Sequence, residues 1–155
     1  NAEVHFIGHL QTNKVKYIID SVSMIQSVDS IKLAEEIDRH AGRIGRCQDI
    51  LIEVNIGGEK SKSGIAASGL EELVYQVSEL ENIRVRGLMA IPPAGSSERF
   101  LFDMQKLYID ISQKKIHNIS MDYLSMGMSG DYEAAIKYGA NMVRIGRGLF
   151  GPRNY

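Results

Sequence analysis

Two glycine-containing turns near the end of the chain carry residue types that bind phosphate. Met126 to Asp131 follows an apolar run and opens a helical pattern, and Arg144 to Gly148 follows the next apolar run. Glycine lets a backbone approach a ligand closely, and N–H groups at the start of a helix attract anions. We therefore predict a phosphate site in which Ser129 adds a hydroxyl donor and Gly146 and Arg147 add backbone donors. The alternative is that both are ordinary strand-to-helix turns, in which glycine is common.

Arg144 is the second signal that points to chemistry, because it lies near the end of an apolar run, residues 142–145, in which side chains alternate between two faces. An arginine at an inward-facing strand position either pairs with a carboxylate or faces a ligand. Glu53 is the candidate partner for such an ion pair. From the residues alone, both interpretations of Arg144 stay open.

The run from Ile50 to Ile56 places Glu53 and Asn55 on one face, opposite Ile52 and Val54. The aliphatic face is expected to meet helices, so the polar face is expected to point inward. Asn55 then lies at the strand end where loops usually carry function. Its other interpretation is a satisfied polar group at the strand exit.

The histidines and Cys47 show no metal-ligand spacing, so we predict no metal site. A lone cysteine forms no internal disulfide, and the default expectation is a reducing, cytoplasmic setting. With 155 residues and a net charge of −1, the chain offers no electrostatic case for binding nucleic acid. No apolar run is long enough to span a membrane, and the first residues do not resemble a signal peptide.

These candidate residues depend on a framework of alternating elements. Apolar runs read as six strands, at residues 4–7, 24–28, 50–56, 85–91, 123–126 and 142–145. Helical periodicity predicts helices after Asp29, which is a plausible N-cap, and over 69–81, about 97–116 and 131–138. Strands that alternate with helices imply right-handed βαβ units and a parallel sheet. The spacing alone does not separate an open sheet from a barrel.

Six motifs in this chain resemble the pyridoxal 5'-phosphate (PLP) homeostasis protein family, which is related to the N-terminal barrel of alanine racemase. The similarity runs from end to end, and the motifs occur in the family's order. They are His5–Gln11, Ser61–Gly64, Gly87–Pro92, Ser125–Ser129, Val143–Gly146 and Phe150–Tyr155.

The resemblance implies a parallel (β/α)8 TIM-type barrel of the alanine racemase N-terminal type that binds PLP. It implies that Ser129 and the backbone of Ile145, Gly146 and Arg147 hold the phosphate and that Arg144 meets the pyridine nitrogen. The family often has a small hydroxyl residue at the position of Arg147. We also expect Met128 and Asn55 to contact the cofactor.

The same resemblance implies that the chain lacks the family's first two βα units. We expect residues 1–155 to form one PLP-binding barrel domain with six of eight units, and the Schiff-base lysine to lie in the missing segment. No lysine here matches the family's lysine motif, including Lys14, Lys16, Lys32, Lys60 and Lys62. Alone, such a chain is expected to fold poorly and bind PLP weakly, as a monomer or associated through its open edges.

The function that the resemblance implies is that of a non-catalytic carrier or buffer of PLP, which hands the cofactor to apo-enzymes. A guanidinium cannot accept a proton, so an arginine beside the pyridine nitrogen keeps that nitrogen neutral, which disfavours carbanion chemistry. Two alternatives are an amino-acid racemase of the alanine type and a barrel enzyme that acts on another phosphorylated substrate.

Overall fold

The computed structural model describes residues 2–95 and 98–152, so the closing motif's residues 153–155 lie outside it. Its strands form one sheet in which each strand runs parallel to its neighbours. The strands are β1 (His5–Phe6), β2 (Met24–Val28), β3 (Gln48–Asn55), β4 (Ile65–Ala66), β5 (Ile83–Met89), β6 (Ile119–Met128) and β7 (Met142–Arg144). The sheet order is β1-β2-β3-β5-β6-β7, and the short β4 pairs with β3.

Helices cover the sheet between successive strands. They are α1 (Ile31–Arg43), α2 (Leu70–Ser78), α3 (Arg99–Lys114), α4 (Tyr132–Lys137) and α5 (Arg147–Phe150), with short 3-10 helices at Thr12–Tyr17 and Ala67–Gly69. Within the described part of the chain, no helix has the length and apolar character needed to cross a membrane. The six strands predicted from sequence are confirmed within a few residues of their ends, and β4 was not predicted.

The sheet curls into a half-barrel. Gln26 of β2 and Met142 of β7 show the curl, because they meet at 3.2 Å although four steps of the sheet separate their strands. A flat open sheet would hold them roughly 19 Å apart, since neighbouring strands lie about 4.8 Å apart. The predicted barrel-type fold is therefore confirmed, as part of a barrel.

The two faces of β3 meet different surroundings, as the sequence predicted. Ile50, Ile52 and Val54 belong to the large apolar core between sheet and helices. Leu51 points to the concave face, where it packs with Met24, Met89 and the partly buried Tyr123. Period-two alternation thus places Glu53 and Asn55 on the concave side as well.

An ion-paired cluster lies at the amino ends of the strands on the concave side. We call it the lower layer, and it consists of Asp49, Arg84, Arg86 and Asp122. Arg86 bridges both carboxylates, at 2.7 Å to Asp49 and 2.5 Å to Asp122, and Arg84 contacts Asp49 at 2.7 Å. The hydrogen bond from Arg86 lowers the pKa of Asp122, and that contact raises the pKa of Arg86. Each guanidinium here has a carboxylate partner.

Gly87 allows β5 to approach β6 closely where the two strands pair. Its φ is +150°, and a Cβ at this position would lie 1.8 Å from the carbonyl oxygen of Tyr123. The pairing of the two strands shifts register between Val85 and Gly87. Only glycine has both the backbone freedom and the absence of a side chain that this close approach requires.

The prediction that Asp29 caps α1 is wrong. Ser30 is the N-cap, and its Oγ accepts a hydrogen bond from the Leu33 N–H. Asp29 instead accepts a hydrogen bond from the Gly64 N–H at 3.1 Å. Both residue types cap helices well, so the local sequence could not decide between two adjacent candidates.

Candidate functional site

The carboxyl ends of the strands, which we call the upper end, hold the residues singled out from sequence. Arg144 ends β7 and reaches back across the sheet, where its Nη1 donates to Ser125 Oγ at 2.6 Å and its Nη2 donates to the carbonyl oxygen of Ala90 at 2.8 Å. Burial lowers the pKa of this guanidinium. Both partners are neutral oxygens, in contrast to the lower layer.

The negative charge of Glu53 acts on Arg144 more strongly than that of Asp131, yet among the described residues Arg144 makes no ion pair. Burial, with a smaller contribution from the negative charge of Asp29, raises the pKa of Glu53 to about 7, while Arg144 acts to lower it. The ion pair considered as an alternative is therefore a through-space attraction only. The guanidinium keeps donors that no carboxylate of the described chain uses.

A chain of hydrogen bonds stands behind Arg144, and sequence reasoning missed it. Ser125 Oγ donates to Gln26 Oε1 at 2.6 Å, and Gln26 Nε2 lies 3.0 Å from His5 Nδ1. We call Arg144, Ser125, Gln26 and His5 the Arg144 network. Ser125 and Gln26 are almost fully buried. A polar residue within each of two predicted strands was the only signal in the sequence.

The two glycine-containing turns lie together, as predicted. Gly148 N–H donates to Ser129 Oγ at 3.0 Å, which ties the turn after β6 to the first turn of α5. Met128 pairs in register with Arg144, and its N–H donates to Asp131 Oδ1 at 2.7 Å. The Met128 backbone donor is thus already used within its own turn.

Asn55 lies three strands from β7 in the sheet and serves the loop that follows β3. Its Nδ2 donates to the Glu59 carbonyl oxygen at 2.8 Å and to that of Lys62 at 3.5 Å. These contacts match its interpretation as a satisfied polar group at the strand exit. Beside it lies a cavity of about 320 Å³ whose lining includes Ile7, His9, Glu53, Asn55, Lys62 and Ile91.

The remaining candidates for chemistry do not assemble into a site. No group of three His, Cys, Asp or Glu side chains among the described residues is placed to hold a metal ion. Cys47 is exposed on the turn after α1. Hydrogen-bond donors, one of them the positively charged Arg144, therefore distinguish the upper end among the described residues.

Comparison with known proteins agrees with this geometry. The family model for the alanine racemase N-terminal domain matches residues 1–154. The pyridoxal phosphate homeostasis protein of Aquifex aeolicus is 45% identical over 157 residues, which cover 99% of this chain and 68% of that protein. Its counterpart in Escherichia coli K12 is 38% identical, over 99% of this chain and 66% of that protein. The chain thus spans about two thirds of the length of these relatives.

A solved structure shows the same fold with cofactor. PipY of Synechococcus elongatus with PLP bound superposes with a TM-score of 0.88 at 32% identity, over 96% of this chain and 70% of that one. Sequence, family model and structure all point to one family. The chain belongs to the pyridoxal phosphate homeostasis protein family and carries its alanine racemase N-terminal domain.

Proposed function

We propose that this chain binds PLP at the upper end of its half-barrel and acts in PLP homeostasis as a non-catalytic carrier of the cofactor. The observation that carries the proposal is Arg144. It is a mostly buried guanidinium held by two neutral oxygens, with no ion pair among the described residues. A buried cation without such a partner is costly unless a ligand or a polar cage satisfies it.

The donor set fits PLP. At Ser129 the Oγ accepts from Gly148, so the hydroxyl hydrogen stays able to donate to a phosphate oxygen. The backbone N–H groups of Ile145, Gly146 and Arg147 lie where α5 begins, and helix starts favour anions. Arg144 would meet the pyridine nitrogen, and Met128 and Asn55 remain candidates for further contact. Asn55 would have to add such a contact to its loop hydrogen bonds.

Arg144 also supports a carrier over an enzyme. PLP supplies an electron sink for reactions at amino acids, and that sink is strongest when the pyridine nitrogen is protonated. A guanidinium keeps its own protons at any ordinary pH and presents N–H donors, so it holds that nitrogen in its unprotonated form. Binding without efficient turnover follows, with apo-enzymes as recipients of the cofactor.

The lysine that attaches PLP covalently belongs, in this proposal, to two βα units that precede residue 1 in a longer protein. Residues 1–155 then form most of one barrel domain and supply the phosphate and ring contacts. The proposal rests on the length of the relatives, of which this chain spans about two thirds. It also rests on the absence of the family's lysine motif from this sequence.

Equilibrium dialysis of the chain against PLP and against pyridoxal tests the phosphate contacts. We expect about tenfold tighter binding of PLP, since charge-assisted hydrogen bonds to the phosphate contribute about 1.5 kcal/mol or more. Ser129→Ala should reduce that ratio. Equal binding of the two ligands would contradict the phosphate site.

Borohydride trapping and a racemase assay test the other two statements. Trapping with PLP should label a longer protein in its upstream segment and leave this chain without a stoichiometric lysine adduct. Alanine should not be interconverted by either protein. A stoichiometric adduct on a lysine of this chain, or steady racemisation, would contradict the lysine's placement or the carrier role, respectively.

A further inference from the structure

We propose that Ser125 is a positioning residue that aims the Arg144 guanidinium at the PLP ring nitrogen, and that Gln26 and His5 hold Ser125 in that role. The inference rests on the proposed function and names residues that the cofactor itself need not touch. Its basis is the direction of every hydrogen bond in the Arg144 network.

The direction begins at the arginine, which can only donate. Arg144 Nη1 donates to Ser125 Oγ at 2.6 Å, so the hydroxyl must turn its own hydrogen elsewhere. The acceptor in reach is Gln26 Oε1 at 2.6 Å. Ser125 thus has one arrangement that satisfies both neighbours.

The orientation of Gln26 is fixed independently from its other side. Its Nε2 lies 3.2 Å from Met142 Sδ and 3.0 Å from His5 Nδ1. A thioether sulfur has no hydrogen to give, so the amide nitrogen, not the oxygen, must face it. Two hydrogens on Nε2 then serve two acceptors, and Oε1 faces Ser125.

The network ends at His5, whose Nδ1 must accept. The neutral ring therefore carries its hydrogen on Nε2, which lies 3.8 Å from Glu3 Oε2. The chain of bonds joins β7, β6, β2 and β1 across the concave face. Removing one member leaves the next with an unpaired buried atom, which is why such networks restrict side-chain orientation.

Ser125 matters to the ligand because Arg144 has only one other described anchor, the Ala90 carbonyl oxygen. One hydrogen bond leaves the planar guanidinium free to rotate about that contact. Two anchors fix its plane and so fix where its remaining N–H groups point. Arg144 therefore needs both anchors to direct an N–H group at one atom of the ring.

The test compares PLP with its analogue in which C–H replaces the ring nitrogen. We expect the parent chain to bind PLP about tenfold more tightly than the analogue, as one hydrogen bond to a charged group predicts. Ser125→Ala should reduce this preference to about threefold or less and leave the PLP-to-pyridoxal ratio unchanged. Gln26→Leu should act in the same direction, and it decides the matter if Ser125→Ala does not fold.

Ser27→Ala is the matched control. Ser27 is also buried in β2, and its Oγ has no hydrogen-bond partner among the described residues. This variant should keep the tenfold preference of the parent. The proposal would be overturned if Ser125→Ala kept the full preference for PLP over the analogue, whether or not it bound both ligands more weakly.

Two further results separate this proposal from the proposed function. Arg144→Met should abolish the preference. If Arg144→Met abolishes it and Ser125→Ala does not, the cofactor assignment stands and the positioning role fails. If the parent shows no preference at all, the ring-nitrogen contact fails and the positioning role with it.

Nitrogen NMR of His5 provides a readout without ligand. At pH about 8, the neutral ring of the parent should carry its hydrogen on Nε2 with no detectable Nδ1–H form. Gln26→Leu removes the donor to Nδ1 and should make a share of the Nδ1–H form detectable. A parent ring with its hydrogen on Nδ1 would reverse the network's direction and overturn the proposal.

Discussion

Arginines at the two ends of the half-barrel differ in what they bind. In the lower layer, Arg86 lies between the carboxylates of Asp49 and Asp122, and these contacts raise its pKa. At the upper end, Arg144 donates to two neutral oxygens, and burial lowers its pKa. The first arrangement is complete within the chain and stabilises it. In the second arrangement no carboxylate of the described chain neutralises the positive charge of Arg144, so this charge can attract an anionic or electron-rich ligand.

Gly87 lies between these two regions, directly after Arg86, and its replacement should have the largest effect on stability. Gly87→Ala places a Cβ 1.8 Å from the Tyr123 carbonyl oxygen at a φ of +150°. We expect a loss of about 4 kcal/mol or more, or failure to fold, measured by urea unfolding. Gly8→Ala is the control, since a Cβ there would have the Phe6 side chain as its nearest neighbour, at an ordinary contact distance of 3.9 Å. A loss below about 1 kcal/mol would show that the close approach of β5 to β6 at Gly87 relaxes easily.

Glu53 should make the stability of the upper end depend on pH. Its pKa is about 7 in the folded chain against an ordinary value of 4.5, so the folded chain keeps the proton up to a higher pH than the unfolded chain does. Stability should therefore be highest below pH about 4.5 for this group and fall by up to about 3 kcal/mol as pH rises through 7.

The variant Glu53→Gln should remove this part of the pH dependence and be more stable than the parent at pH 8. Urea unfolding between pH 5 and pH 8 measures the difference. The exposed Glu35→Gln should keep the parent's slope and is the matched control. An unchanged slope in Glu53→Gln would mean that the carboxyl is better solvated than its position indicates.

Paired variants of Arg86 and Arg144 test the comparison directly, with the smallest expected changes in stability. Arg86→Met should lower the free energy of unfolding by about 1–3 kcal/mol, because it leaves Asp122 without its cation. It should leave PLP affinity nearly unchanged. Arg144→Met should change stability by less than about 1 kcal/mol and weaken PLP binding about tenfold.

Arg99→Met is the control for both, because its pair with Asp103 is exposed and should contribute little. Urea unfolding and equilibrium dialysis provide the two readouts. Equal losses of stability in Arg86→Met and Arg144→Met would contradict the division between a structural and a ligand-binding arginine.

Sequence patterns predicted the fold well where a pattern is periodic. Alternation in β3 correctly put Ile52 and Val54 toward the helices, and apolar spacing located α2 and α3 within a few residues. The motifs identified the family, which the comparisons confirm. Asp29 was wrongly chosen as a cap because two adjacent residues suited that role.

Contacts across the concave face were beyond prediction because they depend on how far the sheet curls. Gln26 and Ser125 read as polar residues in separate strands, and only the curl brings them together. The lower layer was missed for a similar reason, since its members come from β3, β5 and β6. The cofactor contacts of Ser129, Arg144, Ile145, Gly146, Arg147, Met128 and Asn55 stay predictions.

The order of the strands has a consequence for how the chain folds. Each long strand pairs with the next one along the sequence, so the sheet can grow one βα unit at a time. Gln26 instead contacts residues 99 and 116 positions away, at Ser125 and Met142. Those contacts need the whole curl in place, so we expect them to form late in folding. Their loss should therefore speed unfolding and leave the refolding rate nearly unchanged.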